Sequence, residues 1–355
     1  MHKRKFDMAA KKVSTMNILI VKLSAIGDVV HALPAAAALK KSMPSCKISW
    51  VVEKMAYDLV ADHPYIDEAI VFDKAKCKSL GGLICYAPRF LRDLRRRHFD
   101  VALDLQGLMK SALIAWGSGA AKRYVYENSR EGSDWLAQRI VGQHALGGHV
   151  TERYLDVVRY LGCDVQTGSA DYGIFVSDEE RKTAYNLARH QGFDMKQRYA
   201  VFILGANWPN KIWPQEHFAA VGDVLYGKGI IPVVVGGSGD GQLAAIVAEQ
   251  MKIPPIDLTG RTSLKQLAAI LEQAAVVIGG DTGPMHLAAA LKTPTVALMG
   301  PTDEARNGPY GQGHAVVITP HDCAGCWQRS CPKGWDCLAA LKSEAVLTAV
   351  ERICR

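Results

Sequence analysis

Three short segments carry the side chains with the most chemistry: residues 22–34, 205–214 and 279–286. In the first, Gly27-Asp28 follows an apolar run and opens an Ala-rich stretch. A carboxylate at the carboxyl end of a strand can reach a bound hydroxyl and take its proton as a general base. An aspartate at a helix start also accepts a hydrogen bond from the backbone, so capping and catalysis both stand for Asp28. In the second, Lys211 lies between Trp208 and Trp213. It is either a fixed positive charge for a phosphate or a solvated loop lysine beside two core tryptophans. In the third, Gly279-Gly280-Asp281-Thr282-Gly283-Pro284-Met285-His286 passes from a strand into a helix. Amides at Thr282 and Gly283 can hold an anion at a helix N-terminus, and His286 can face either that ligand or the core. A further glycine-rich loop, residues 235–241 with Gly237 and Asp240, matches neither the dinucleotide fingerprint nor the Walker spacing.

Such residues need strand ends to hold them. Apolar runs at 18–21, 48–52, 69–72 and 101–105, then at 199–204, 231–235, 256–258, 276–278 and 295–299, alternate with helical stretches. Near-continuous apolar strands are those buried on both faces of a parallel sheet. Between the two series the polar stretch 177–197 has no strand pattern. The fold class expected is therefore α/β, with two Rossmann-like domains and a cleft between them. The expected divisions are a flexible basic extension over 1–15, a first domain over 16–176, a linker over 177–197, a second domain over 198–342 and a C-terminal helix over 343–355. That helix has the option of packing back on the first domain.

The chain has 355 residues, 49% apolar and 22% charged, with a net charge of +7. This is the composition of a globular protein. No apolar run is long enough to span a bilayer, and residues 1–15 contain no apolar segment of the signal-peptide kind. The basic balance suits an acidic substrate or an anionic membrane surface. It would also suit nucleic acid, but no recognition motif for it is present, so none is expected as a partner. Four of the nine cysteines, Cys46, Cys77, Cys85 and Cys163, are scattered singly, which suits a reducing, cytoplasmic setting. Cys323, Cys326, Cys331 and Cys337 are clustered. The opening C-x-x-C has metal-ligand spacing and the later spacings do not, so a structural metal and free or reversibly oxidised thiols both remain open.

Taken together and in this order, the segments 22–34, 205–214 and 279–286 resemble those of the bacterial lipopolysaccharide heptosyltransferases of glycosyltransferase family nine. The resemblance runs from about Met16 to the end. Asp104-Leu105-Gln106-Gly107-Leu108-Met109-Lys110-Ser111-Ala112-Leu113, Arg130-Glu131 and residues 149–154 are similar to the heptosyltransferase I branch. The resemblance implies a GT-B fold and inverting transfer from ADP-heptose to the Kdo of a Kdo-lipid A acceptor, with no metal required. It implies a cytoplasmic enzyme, peripheral on the inner membrane. Asp28 is then the general base. Lys211 contacts the donor phosphates, Asp281 the donor heptose, and Thr282, Gly283 and His286 shape the diphosphate site. Asn207 stands where the family often has a small hydroxyl residue, and an amide can still bond a phosphate. Gly237 and Asp240 complete the expected donor site.

An acceptor bearing phosphates and carboxylates calls for a basic site. Gly27, Lys74, Lys76, Lys78, Lys110, Arg123 and Arg130 are the candidates. The run 92–97 (Arg-Asp-Leu-Arg-Arg-Arg) is either a solvated helix face or a membrane-docking element. Rival readings are heptosyltransferase II or another family-nine transferase, a non-catalytic donor-binding module, and a nucleotide-sugar epimerase.

Overall fold

The computed structural model describes residues 15–354, so nearly all of the expected basic extension lies outside the described residues. The chain divides into two compact units, one ending at Phe175 and the other beginning at Val176. In the first, β1 (Asn17–Val21), α1 (Ile26–Ser42), β2 (Lys47–Glu53), α2 (Tyr57–Val60), β3 (Glu68–Phe72) and α3 (Leu80–Arg95) are followed by β4 (Val101–Asp104), α4 (Met109–Gly117), β5 (Lys122–Tyr126), β6 (Gln138–Ile140) and α5 (Val150–Tyr160). The sheet order is β3-β2-β1-β4-β5-β6, all parallel. Helix α1 is buried from Val29 to Leu39 because alanines at 35–38 let neighbouring elements approach on every side.

The second unit opens with α6 (Asp178–His190). It continues through β7 (Tyr199–Ile203), α7 (Gln215–Gly227), β8 (Ile231–Val235), α8 (Gly241–Gln250), β9 (Ile256–Asp257), α9 (Leu264–Glu272), β10 (Val276–Gly280), α10 (Gly283–Ala290), β11 (Thr295–Met299), α11 (Glu304–Asn307), β12 (Ala315–Ile318) and α12 (Ser343–Ile353). Its order is β12-β11-β10-β7-β8-β9, again all parallel. Counted from its own first strand, this is the strand order of the first sheet. Each is the doubly wound order whose direction reverses between its first and fourth strands, and ligands bind beyond the carboxyl ends at that reversal.

Three strands escaped the apolar-run reading. β5 and β6 carry Lys122, Arg123, Gln138 and Arg139, and β12 is a short run at the edge of its sheet. The stretch 177–197, expected as a linker, contains α6. Ser177 caps it in a reciprocal box with Glu180, and it is tied to α9 by Arg181–Glu272 and Lys265–Glu180 ion pairs. Helix α12 packs in the second unit: Val346, Ala349 and Val350 join Phe202, Trp213 and Leu298 in one apolar core. Trp213 donates its indole N–H to the Leu341 carbonyl at 3.0 Å, which satisfies the polar end of a fully buried ring.

Candidate active site

At the reversal point of the first sheet, β1 delivers Lys22 and then the loop into α1. Lys22 is buried, and its Nζ donates to the Tyr154 hydroxyl at 2.8 Å and lies 4.0 Å from Asp28 Oδ1. Burial works against its charge, but Asp28, Tyr154 and Asp104 outweigh it and hold the ammonium above the ordinary lysine range. Asp28 occupies the third position of α1, and its Oδ2 accepts from the Ala25 amide at 3.2 Å. Alanine has no side chain to return the bond, so only half of a capping box exists. Capping therefore uses one oxygen of Asp28 and leaves the other toward Lys22. Gly27, expected on the acceptor side, is buried in the same first turn.

A second carboxylate, Asp104, ends β4 beside this loop. Its side chain accepts from the Gln106 and Gly107 amides at 3.0 and 2.9 Å and contacts Ser111 Oγ at 3.0 Å. Gln106 Oε1 in turn accepts from the Leu23 and Ser24 amides. Exposure separates the two acids: the Asp28 side chain is 43% exposed, whereas Asp104 is 1% exposed. Only Asp28 is open to a substrate. Asp104 builds the turn that holds the Asp28 loop.

Burial pushes the Asp104 carboxyl up to about 6, against the pull of Gly107, Ser111, Gln106 and Lys22. A group whose folded value lies above its unfolded one favours the fold while protonated. Its contribution is therefore lost as the pH rises from the ordinary carboxyl range through about 6. Asp104→Asn keeps an oxygen for the two amides and offers an N–H to Ser111 Oγ, which already has the Leu108 carbonyl to donate to. Thermal unfolding should show Asn gaining on the wild type between pH 4.5 and pH 8. A pH-independent difference would deny the burial of a titrating acid.

The second site sits at the equivalent reversal point, between the ends of β7 and β10. Lys211 Nζ pairs with Asp281 Oδ2 at 2.6 Å and lies 4.6 Å from the centre of the Trp208 ring. His286 Nε2 meets Asp281 Oδ1 at 2.8 Å, and the Thr302 hydroxyl donates to Asp281 Oδ2 at 2.7 Å. His286 therefore faces Asp281 from one turn into α10. Burial disfavours the Asp281 charge, but His286 and Lys211 overcome it and hold the carboxyl far below the usual range. Lys211, Thr302 and His286 thus use three of its four lone-pair directions. Gly280 is required beneath this loop, because a Cβ there would run into the Lys211 carbonyl. Thr282 donates to the Gly280 carbonyl at 3.3 Å and makes no side-chain cap to α10, whose first turn starts at Gly283.

Asn207 is exposed, and its carbonyl accepts a long bond from Arg329. Asp240 tucks between Gly205 and Gly236, where any side chain would collide with its carboxylate, and it accepts from the Gly237 amide at 2.7 Å. Its geometry is that of a turn support.

The basic acceptor candidates separate. Lys74, Lys76 and Lys78 are exposed beyond β3, with Lys76 3.6 Å from Asp73. Arg130 is exposed beyond β5, and its amide bonds to Gly107. Lys110 is half-buried in a 2.8 Å pair with Glu53. Arg123 is a correction: it lies near the amino end of β5, in register with Leu19, and is spent on the Ala120 and Leu136 carbonyls. Most of the arginine run is also spent within the unit. Arg95 bonds the Gly117 carbonyl, Arg96 pairs with Asp93, and Arg97 grips Glu68 with two nitrogens.

Cys337 is buried, and burial together with the neighbouring thiols Cys326, Cys331 and Cys323 pushes it up to about 11. Among the described residues no three His, Cys, Asp or Glu side chains are placed to hold a metal ion. The cysteine segment instead braces the second site. The Gly325 and Trp327 amides bond the Gly300 and Pro301 carbonyls, and Asn210 Nδ2 donates to the Gln328 carbonyl at 2.6 Å. Lys22, Gln106, Tyr154, Thr302 and Asn210 were not among the residues expected here.

The model of glycosyltransferase family 9 (heptosyltransferase) matches residues 88–335. Lipopolysaccharide heptosyltransferase 1 of Pseudomonas aeruginosa is 30% identical over 334 residues, which is 89% of this chain and 87% of that protein. The chain belongs to glycosyltransferase family 9. A family 9 glycosyl transferase from Veillonella parvula superposes with a TM-score of 0.84 at 26% identity, covering 97% of this chain and 99% of that one. E. coli heptosyltransferase WaaC, solved with ADP, gives 0.76 at 26% identity, covering 95% and 99%. The fold is thus GT-B, as the family resemblance implied, and the protein is a glycosyltransferase.

Proposed function

We propose that the chain transfers heptose from ADP-heptose to the Kdo of a Kdo-lipid A acceptor, with inversion at the anomeric carbon. The observation that carries this reading is the half-exposed Asp28, fixed by Ala25 and Lys22 at the first sheet's reversal point. The acceptor hydroxyl loses its proton to Asp28 as it attacks, and the departing diphosphate gains charge. Lys211 keeps one N–H beyond its bonds to the Asp281 carboxylate and carbonyl, and the N-terminus of α10 favours an anion. Both interactions strengthen as charge develops on the leaving group. Asp281, His286 and Thr302 set the position of Lys211. Gly27, Lys74, Lys76, Lys78, Lys110 and Arg130 line the acceptor side in this proposal, Lys110 by exchanging its pair with Glu53.

The relatives named lipopolysaccharide heptosyltransferase 1 support the first-heptose reading, and Kdo enters as the acceptor that the sequence resemblance implied. The deciding assay offers ADP-heptose with Kdo-lipid A, or with the same acceptor already carrying one heptose. ADP release with the first acceptor alone is expected. Release with the second alone would replace Kdo by heptose as the acceptor sugar, and release with neither would sink the transfer reading. No helix among the described residues is long and apolar enough to cross a membrane. A peripheral enzyme at the cytoplasmic face of the inner membrane is part of the same proposal, because its proposed acceptor is lipid-linked.

A further inference from the structure

The first half of α3 is built against the usual rule for a surface helix. Leu80, Leu83 and Ile84 are 75%, 42% and 62% exposed, although solvent-facing positions normally take polar residues. Its apolar anchor lies further along, where Phe90 and Leu94 enter the core with Leu19 and Val51. Just before the helix, Lys74, Lys76 and Lys78 are also exposed. Met55, 52% exposed, follows the neighbouring strand β2. Because β1, β2 and β3 are parallel and in register, these groups all project from the edge of the sheet that carries Asp28.

We infer that this edge is an insertion surface for an anionic lipid bilayer, with Leu80, Leu83 and Ile84 entering the acyl boundary and the three lysines at the headgroups. Charge complementarity selects this occupant. Residues 73–92, before the internally paired arginines, hold five basic side chains against one acidic one, in a chain whose total is +7. A shallow groove of about 430 Å³ continues the face, lined by Ala87, Pro88, Leu91, Arg92 and Arg95. An apolar cluster rimmed by lysines is the composition of an interfacial anchor, whereas a protein-binding patch is depleted in lysine. The surface thus moves from the arginine run, which is mostly paired internally, to the segment before it. It rests on the proposed lipid-linked acceptor only for its purpose, since docking here would orient the Asp28 edge toward that substrate.

Sedimentation with vesicles of phosphatidylglycerol and phosphatidylethanolamine tests it on the full chain. Binding is expected to weaken steeply with added salt, since each lysine near an anionic surface contributes on the order of a fivefold gain in partitioning. Leu80→Ser with Ile84→Ser should weaken binding by roughly tenfold or more. The same variant should leave transfer to a deacylated, water-soluble acceptor unchanged. Ile84→Trp should be quenched by brominated acyl chains. Absent or salt-independent vesicle binding, or no quenching, overturns the inference while leaving heptosyl transfer standing. A concentration-dependent dimer that the double serine variant dissolves would also overturn it, by assigning the face to a second copy of the chain. Vesicle binding without transfer to either acceptor would overturn the proposed reaction and leave the surface in place.

Discussion

Asp28→Asn is expected to lower kcat by about 10²–10⁴, the usual worth of general-base help, while leaving ADP affinity unchanged. Asparagine is the informative replacement because, besides its charge beside the buried Lys22, Asp28 has two duties. One oxygen accepts from the Ala25 amide at the start of α1, and an amide side chain preserves that bond. The other duty, taking a proton, is lost. Asp28→Ala removes both and should also lower the melting temperature, because the Ala25 amide loses its side-chain acceptor. Steady-state rates, calorimetric ADP binding and thermal unfolding on the two variants therefore separate base from cap. A wild-type rate for Asp28→Asn would eliminate the base assignment. Equal rates but a lowered melting temperature for the alanine variant would leave Asp28 as a helix cap alone.

The repeated strand and helix pattern made the fold class legible, because strands buried on both faces are written as unbroken apolar runs. Edge strands escaped for the complementary reason: β5 and β6 are partly solvated and carry charged residues at several positions. The chemical residues at loop positions were also legible. Gly27-Asp28, Lys211 and Asp281 to His286 all lie in the connections and first helical turns that follow β1, β7 and β10, where the doubly wound order places ligands. Their partners were not. Lys22 meets Tyr154 across 132 positions, and Leu23 meets Gln106 across 83. Both partners lie in segments that carried the family resemblance, but only the folded register pairs them. Thr302 lies outside the motif that contains Asp281, and reaches it only because β11 neighbours β10. Arg123 misled for the same reason in reverse. A positive charge in a sequence does not say which end of a strand it occupies, nor which carbonyls will consume its donors.

Lys211→Met should lower kcat/KM by about 10²–10³, the scale measured when one preorganised donor to a developing anion is removed, and should weaken ADP binding as well. Methionine keeps the length of the side chain over the Trp208 ring but loses the charge. The variant also damages the protein, since Asp281 is 4% exposed and would keep only His286 and Thr302. Breaking a buried ion pair on one side costs about 3–5 kcal/mol, and the two surviving partners place the loss at the lower end. Asp281 has its folded value depressed, so its stabilising contribution is present above the ordinary carboxyl range and is lost as the pH falls through the folded value. With Lys211 gone that value rises, and acid unfolding of the variant should begin at higher pH than in the wild type. Lys211→Met with Asp281→Asn resolves the two effects. The pair is then neutral, His286 can donate to the amide oxygen, and Thr302 can accept from the amide nitrogen, so stability should return in large part. Activity should stay low, because no positive charge remains for the diphosphate. Recovery of both stability and rate in the double variant would show that Lys211 serves the fold and not the leaving group.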